Sequence, residues 1–560
     1  MESHTFNIGN IKIGEEEIIL QSMTSTSTKD IEATIQQCIR MADAGAKMIR
    51  ITTRDVKEAE NLRFIKDHLK MLGFEVAIIA DVHFNPGVAE VAAGVIDKVR
   101  INPGNYLDKK KGKTNWTEED FRGEQQRIKE RLSKLVNICK EYGTAIRVGV
   151  NHGSLSDRMI NRFGDTDRGM VESAMEFIRI FKVLDFHKLV ISLKASNVLV
   201  MIQANQLMNQ RMKEEKLNYP LHLGVTEAGD AEDGRIKSAT GIGLLLSQGI
   251  GDTIRVSLTE EPEIEIPVAK KIVEISASNN MSTMIDFYKI KRKKTKRILN
   301  IGGENVPIVI DSHFHNKADY YLKDQQLVSP AGNHISLIND ISQDIINPED
   351  SFFYETNLSD INEQIINGLY SNSNIVLVIQ KTSNTSIDKI HEMIDNMERS
   401  DITNPIILKI ESEEADYEKW LVESSVISSS FVLSGKIDGI WLHHSEFTST
   451  EVALGILQAT RKRISKTEYI ACPSCGRTLF NIQERLQEVK AKTSAFKGLK
   501  IAVMGCIVNG LGEMADADFG YVGAGKGKVN LYKGHDLIMK NVDESEAADK
   551  LLEIINASYL

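Results

Sequence analysis

Cysteine is scarce in this chain of 560 residues. Only five occur, which argues against a disulfide-stapled secreted design, and three of them crowd into one stretch near the C-terminus. That clustering points to metal in a reducing compartment. Long apolar runs are also missing: none approaches the roughly 20 residues that cross a bilayer. Met1–Gly14 is polar and lacks the apolar core of a signal peptide. Positive charge is not in excess, with 68 Lys and Arg against 78 Asp and Glu and a net charge of −10, which argues against a nucleic-acid-binding surface. Hydrophobic content of 42% and charged content of 26% are those of a globular chain, and the length suits roughly three or four domains. A cytoplasmic protein is expected, with neither nucleic acid nor membrane as partner.

What is present is concentrated between Tyr469 and Glu513. Cys472 and Cys475 lie in Cys-Pro-Ser-Cys-Gly-Arg, where the C-x-x-C spacing lets two thiolates from one tight turn reach a common centre. Cys506, in Met-Gly-Cys-Ile-Val-Asn-Gly, follows a helical segment, Asn481–Ala495, and a strand-like run, Leu499–Val503. Three thiolates leave one corner of a four-cornered site open. Zinc takes three cysteines with a histidine, and iron–sulfur clusters usually take four cysteines; the nearest downstream histidine is His535, past an expected hairpin. Asn509-Gly510-Leu511-Gly512-Glu513 comes first, and its glycines let the backbone turn the Glu513 carboxylate toward Cys506. On a cubane, such an oxygen ligand would be weak and exchangeable, leaving one iron able to bind a substrate oxygen. The spacing alone leaves open an iron–sulfur cluster, a three-cysteine zinc knuckle with Glu513 on the surface, and a disulfide or inert thiols.

From Ile18 to about Ser278, short apolar runs alternate with amphipathic helical segments. The strand-like runs are Ile18–Met23, Met48–Thr52, Val76–Val82, Lys98–Asn102, Ala145–Val150, Leu189–Leu193, Leu221–Val225 and Thr253–Ser257. Helical patterns fall between them, such as Asp30–Ala44, Val56–Leu72 and Glu124–Tyr142. This rhythm predicts an α/β fold with a (β/α)8 barrel over residues 1–280; a doubly wound open sheet is the alternative. Cys38 and Cys139 fall on apolar helix faces and read as packed thiols.

The strand ends are polar in a patterned way. Arg50, Arg100, Arg147, Lys194 and Arg255 lie at or near the ends of five different strands, and Asp81, His83, Asn102, Asn151, His152, Glu227 and Ser257 accompany them. Barrel sites form at the C-terminal ends of strands. One such arginine could simply pair with a neighbouring carboxylate, but five cations facing only Asp81 and Glu227 leave a positive field. That field calls for a compact polyanion, a phosphate or diphosphate ester gripped by guanidinium groups. Glu227 among cations is a candidate proton donor or acceptor, His152 a candidate hydrogen bonder to substrate, and His83 more a structural residue.

Residues 281–466 differ. Lys289–Arg297 is a basic run that reads as a solvated linker. Beyond it, strand-like Pro307–Ile310, Ile375–Ile379, Pro405–Ile410 and Ile440–Leu442, with helical Asp360–Gly368 and Ser386–Met397, predict a β/α insert acting as spacer or packing domain. Asp311-Ser-His-Phe-His315 resembles a hydrolase metal motif, but no further ligands complete it. Residues 467–560 form a third domain, in which Gly523–Gly527 joins two strand-like runs as a hairpin turn and a helix, Glu544–Ile555, closes the chain.

Gln21-Ser-Met-Thr-Ser-Thr, Val99-Arg-Ile-Asn-Pro-Gly-Asn105, Arg147-Val-Gly-Val-Asn-His-Gly-Ser154, Ser192-Leu-Lys-Ala-Ser196, Leu221-His-Leu-Gly-Val-Thr-Glu-Ala-Gly229 and the two cysteine motifs together resemble the 4-hydroxy-3-methylbut-2-enyl diphosphate synthase family. This is the iron–sulfur enzyme family of the non-mevalonate isoprenoid pathway. The resemblance runs to about Ser278 and resumes from about Thr467, with the insert of the three-domain form between. It implies a [4Fe-4S] cluster held by Cys472, Cys475, Cys506 and Glu513 in a C-terminal α/β domain. It also implies reductive ring opening of 2-C-methyl-D-erythritol 2,4-cyclodiphosphate, with ferredoxin or flavodoxin as electron donor. Arg50, Arg100, Arg147, Asn151, His152, Lys194, Arg255 and Ser257 would bind the diphosphate, and Glu227 and Glu513 would be catalytic. The family's Asn-Gly-Pro-Gly-Glu reads Asn-Gly-Leu-Gly-Glu here; Leu511 loses proline's fixed φ, while both glycines and the glutamate stay. The cluster domain must close over the barrel, within one chain or across a homodimer. The alternatives are a non-redox iron–sulfur dehydratase acting on a phosphorylated small molecule, and a phosphosugar-binding protein with a structural zinc.

Overall fold

The computed structural model describes residues 3–107, 115–282, 285, 294–339, 350–507, 512, 514 and 516–559. Leu511 and Glu513, and most of the basic run at Lys289–Arg297, lie outside the described residues. Two short strands, β1 (Phe6–Ile8) and β2 (Ile11–Ile13), pair as an antiparallel hairpin that the polar N-terminus did not announce. Eight parallel strands follow: β3 (Ile19–Met23), β4 (Met48–Thr53), β5 (Ala77–Val82), β6 (Lys98–Ile101), β7 (Ala145–Asn151), β8 (Leu189–Lys194), β9 (His222–Leu223) and β10 (Thr253–Ile254). They lie in the order β8-β7-β6-β5-β4-β3-β10-β9, and a parallel bridge between Ile191 and Leu221 joins the two ends. The ring is a (β/α)8 barrel, not an open sheet. Phe6, Ile8 and Ile13 of the hairpin pack on Ile19, Met48, Ala77, Ala145 and Val190 at the starts of the strands. The hairpin thus plugs the N-terminal end, so the barrel opens only where the strands finish.

Local signals explain the helices. Asp55 accepts from the Glu58 N–H at 2.9 Å and starts the helix Val56–Met71. Thr117 and Asp120 form a reciprocal cap that starts the helix Glu118–Tyr142 six residues before the Glu124 expected from apolar periodicity. Cys38 and Cys139 are buried, and burial pushes both thiols up to about 12. Among the described residues no helix is long and apolar enough to cross a membrane.

Met1–Leu245, Ile250–Lys270 and Lys466–Leu560 make one compact unit, and Lys271–Ser465 with Leu246–Gly249 another. The second unit is a closed barrel of its own. Its strands β11 (Ile308–Asp311), β12 (Tyr320–Lys323), β13 (Gln326–Val328), β14 (His334–Ile338), β15 (Phe352–Asn357), β16 (Ile375–Lys381), β17 (Ile406–Glu411) and β18 (Gly439–His443) close through β11 on β18. Only β13 runs against its neighbours. Asp311 Oδ2 accepts from the N–H groups of Ser449 and Thr450, both at 2.9 Å, and from Thr450 Oγ at 2.6 Å. It therefore caps the helix Thr450–Ala459 and leaves the Asp-Ser-His-Phe-His motif without its acidic member for a metal.

The C-terminal part of the first unit is a five-stranded sheet: β19 (Glu468–Ala471), β20 (Lys500–Met504), β21 (Phe519–Gly525), β22 (Lys528–Lys533) and β23 (Asp536–Asp543). The first three run parallel and the last two return as a meander. Gly523–Gly527 makes the β21–β22 hairpin, with a register shift at Gly523/Gly525. The helices Ile482–Thr493 and Ala547–Tyr559 cover the sheet through Leu486, Val489, Leu551 and Ile555.

Candidate active site

Along the barrel strands, one face changes character partway up. β4 places Met48, Arg50 and Thr52 on that face, β5 Ala77, Ile79 and Asp81, β6 Lys98 and Arg100, and β7 Ala145, Arg147, Gly149 and Asn151. Apolar groups seal the floor over the hairpin, and charged groups fill the C-terminal end. Arg50, Arg100, Arg147, Lys194 and Arg255 do converge there on one cavity of about 740 Å3, its open mouth included. Asn151, Ser257 and Glu227 line the same cavity.

The cations are held close together with little water. Arg147 is buried, and its Nε and Nη1 find no hydrogen-bond partner among the described residues. Burial, then Arg50 and Arg100, push its pKa well down. Burial and the same arginine neighbourhood do likewise to Lys194, and burial takes Arg50 down to about 10 against the pull of Asp81. Buried donors without acceptors are costly unless a ligand answers them. An anion would answer them.

Asp81 is the hub of the neutralising side. Burial would raise its carboxyl, but Arg50, His83 and Arg100 together hold it well below the usual carboxylate range. Arg100 Nη1 lies 3.4 Å from Asp81 Oδ1 and also donates to His83 Nε2, while Nη2 donates to the Gly149 carbonyl at 3.1 Å. Burial and Arg100 push His83 down to about 3, so the ring is neutral with its proton on Nδ1. The Asn105 side-chain amide lies 3.1 Å from Nδ1, and its Oδ1 is otherwise without a partner. Turning that amide over lets the oxygen accept the Nδ1 proton and satisfies both groups.

The tally of two carboxylates read from the sequence is corrected by a third. Arg255 donates through Nε and Nη2 to Glu265 at 3.1 and 3.0 Å, and Ser22 Oγ donates to the same carboxylate at 2.7 Å. Glu265 had one signal: it sits on the apolar face of its helix with Val268, Ala269 and Ile272. His152 is not brought to the cavity. Its Nε2 lies 3.2 Å from the Asp165 carbonyl. Glu227 sits at φ +49°, a left-handed conformation that a non-glycine residue holds only when its surroundings impose it, and Thr226 Oγ donates to its carboxylate.

The C-terminal sheet closes over this mouth within the same chain. Ala228 and Ala471 form a parallel bridge, and Thr259 Oγ donates to the carbonyls of Ala471 and Cys472, both at 3.2 Å. Lys237 pairs with Glu468 at 3.1 Å, and Gln487 donates to Asp230 at 2.6 Å. Arg477 of the Cys-Gly-Arg turn, to which sequence reasoning assigned no role, is buried. Its Nη1 donates to Asp81 Oδ2 at 3.1 Å and its Nη2 to the Asp81 carbonyl at 3.0 Å. The loop after β7 comes so close to Gly512 that a Cβ on Gly153 would lie 1.8 Å from the Gly512 carbonyl oxygen.

This closure brings Cys472, Cys475 and Cys506 onto the same cavity as the arginines. Ser474, at φ +67°, turns the C-x-x-C loop, and Thr478 Oγ accepts the Cys475 N–H at 2.9 Å. None of the three cysteines is in a disulfide, and the Gly505 N–H donates to Cys472 Sγ at 3.3 Å. Burial pushes the Cys472 thiol well up, so its thiolate needs positive charge beside it. Among the described residues, no three His, Cys, Asp or Glu side chains are gathered for one metal ion. Three thiols lining one cavity are the kind of donor set that a thiolate-held metal group takes.

The comparisons with known proteins agree with this architecture. Residues 3–270 match the family model described as the GcpE TIM-barrel domain, and residues 468–557 match the GcpE protein C-terminal domain. A curated protein of Phocaeicola vulgatus is 42% identical, covering 100% of this chain and 98% of its own. Another from Bacteroides thetaiotaomicron is 43% identical over 99% and 97%, and one from Leptospira interrogans 38% identical over 99% and 96%. All three are named 4-hydroxy-3-methylbut-2-en-1-yl diphosphate synthase (flavodoxin). With barrel, cysteine lid and insert all spanned by these relatives, the chain belongs to the GcpE family of 4-hydroxy-3-methylbut-2-en-1-yl diphosphate synthases.

Proposed function

We propose that this chain reductively opens 2-C-methyl-D-erythritol 2,4-cyclodiphosphate to 4-hydroxy-3-methylbut-2-enyl diphosphate in the non-mevalonate isoprenoid pathway, with flavodoxin as electron donor. The observation that carries the reading is one cavity walled by a cluster of buried cations on the barrel side and by three cysteines on the lid. Cys472, Cys475, Cys506 and Glu513 would hold a [4Fe-4S] cluster, which when bound would supply single electrons and Lewis acidity.

The chain's own residues do the rest. Arg147, with two donors awaiting acceptors, and Arg50, Arg100 and Lys194 bind the diphosphate by charge-assisted hydrogen bonds. Arg255 has its Nε and Nη2 held by Glu265, which leaves Nη1, now 3.5 Å from the Met23 sulfur, to turn to the diphosphate. Asn151 and Ser257 orient the phosphoryl oxygens. In the overall reaction two electrons and one proton enter, a water leaves and a ring carbon–oxygen bond breaks, so the diphosphate gains one negative charge. Glu227 delivers the proton to the departing hydroxyl. The lid excludes water, which strengthens each of these contacts. Residues 1–280 bind substrate, 467–560 carry the cluster, and 281–466 act as a spacer or packing domain. The setting is cytosolic, where thiols stay reduced.

Purification without oxygen, followed by assay of iron, sulfide and zinc per chain, tests the cluster. About four irons and four sulfides are expected, with turnover of the cyclodiphosphate strictly dependent on reductant. One zinc and no sulfide would remove the redox chemistry, and turnover without reductant would point to a non-redox dehydratase.

A further inference from the structure

Below the arginines lies a second polar layer that no step above uses. Lys98 opens β6 and His222 opens β9, and both are fully buried. Among the described residues, the only hydrogen-bond partner of Lys98 Nζ is the Met48 thioether at 3.2 Å. His222 Nδ1 lies 2.7 Å from Thr253 Oγ, and its Nε2 has no partner. The neighbouring amide of Gln21, on β3, is unpartnered at both ends. The charges facing this layer are cationic: Arg50 from β4, Arg147 from β7 and Lys194 from β8.

Among the described residues no carboxylate bonds to it: Asp97 pulls on the Lys98 amine without pairing with it, and Asp252 accepts the Leu221 N–H at 2.7 Å. Asp97, next to Lys98 in the chain, is taken by Lys66 at 2.8 Å and by the Ile78 N–H at 2.8 Å. From β5, Asp81 is engaged by Arg100 and Arg477, and Glu265 is engaged by Arg255. An amine and an imidazole, dry and surrounded by guanidinium groups, cannot all carry charge at once.

We propose that Lys98 and His222 are a proton store, uncharged while no anion is bound and protonated when a cyclic diphosphate settles on the arginines above them. Burial first, then Arg147 and Arg50, hold the Lys98 amine well below its ordinary value. Burial, Lys194, Arg147 and Lys98 do the same to the His222 imidazole. Two negative charges arriving in the cavity reverse that field, and linkage then requires binding to draw protons from solution. The ligand itself contributes none, because each phosphorus in the ring ionises only once, far below neutral pH. Ring opening creates a terminal phosphate with a second ionisation near about 6, and the stored protons offset that added charge.

The inference rests on the diphosphate reading, and one experiment separates the two. The cluster-loaded protein, without reductant so that nothing turns over, is titrated calorimetrically near neutral pH with 2-C-methyl-D-erythritol 2,4-cyclodiphosphate. Buffers of different ionisation heat are compared, and the slope of observed heat against buffer heat counts protons taken up. On the order of one proton per ligand is expected for the unaltered chain. The slope should fall roughly twofold or more in Lys98→Met or in His222→Gln, and most in the double variant. Binding with zero slope in the unaltered chain overturns the proposal without any variant, as does a slope unchanged in the variants. No binding in any buffer overturns the diphosphate reading and the proton store with it.

Discussion

The backbone approach between barrel and lid is also the sharpest test of the site. Gly153 has φ +77°, and a Cβ there would lie 1.8 Å from the Gly512 carbonyl oxygen. Carbon–oxygen contacts begin near about 3.3 Å, so Gly153→Ala must drive the two backbones apart by about 1.5 Å. The left-handed backbone adds roughly 1–2 kcal/mol for alanine. Gly143, which ends the helix Glu118–Tyr142, supplies the control: its φ is +75°, and the nearest atom to a built Cβ is Lys188 Nζ at 3.8 Å. Gly143→Ala therefore carries the backbone strain without the collision. In thermal unfolding Gly143→Ala should lose that strain alone, and Gly153→Ala should lose more because the collision adds to it. Only Gly153→Ala should lose rate, because misplacing reacting groups by about 1 Å costs on the order of 100-fold. The assay is kcat at saturating reductant and cyclodiphosphate, with iron per chain measured on the same samples. Equal kcat in the two variants would refute the reasoning that the contact of Gly153 with Gly512 sets barrel and lid in register.

Three further outcomes are expected. Glu227→Gln should lower kcat by about 100- to 10,000-fold while leaving ligand affinity nearly unchanged; full turnover at limiting donor would remove its proton role. Glu265→Ala leaves a 3%-exposed arginine without its carboxylate, at a cost of about 3–5 kcal/mol. The diphosphate should recover part of that, so ligand should raise the melting temperature of the variant more than that of the unaltered chain; equal rises would contradict the pairing. Asp81 has a folded-state pKa held down, so its contribution is present above the unfolded carboxyl value of about 3.9 and is lost as pH falls through the folded value. The stability gap between the unaltered chain and Asp81→Asn should be full at neutral pH and close in acid, and a gap independent of pH would refute the assignment.

The first barrel was legible because short apolar runs recur eight times with helical segments between them, and most of them finish on charged or polar residues. The insert barrel was half legible. β11, β16, β17 and β18 are continuous apolar runs, whereas β12, β13 and β14 are short and mixed, with exposed Lys323 and His334. The helix Tyr417–Ser434 is buried along nearly its whole length and rich in serine, so no amphipathic stripe marks it. The hairpin Phe6–Ile13 had a signal in its alternation about Gly9-Asn10, but three-residue strands stand out only once there is a barrel floor to fill.

In the site, the sign of the charge could be read and its neutralisation could not. Five strand-end cations are visible one strand at a time, because period-two alternation and the barrel's polarity place each of them. Pairing is a property of packing across the ring and the lid. Glu265 reaches Arg255 from the following helix, and Arg477 reaches Asp81 from 396 residues away. His152 failed for the converse reason, since its loop position was correct and its ring turns to Asp165. The consequence is mechanistic. Asp81 serves Arg100 with one oxygen and Arg477 with the other, so the carboxylate that balances an anion-binding arginine also ties down the cysteine lid. The cationic wall of the barrel and the seating of the lid therefore meet at one side chain.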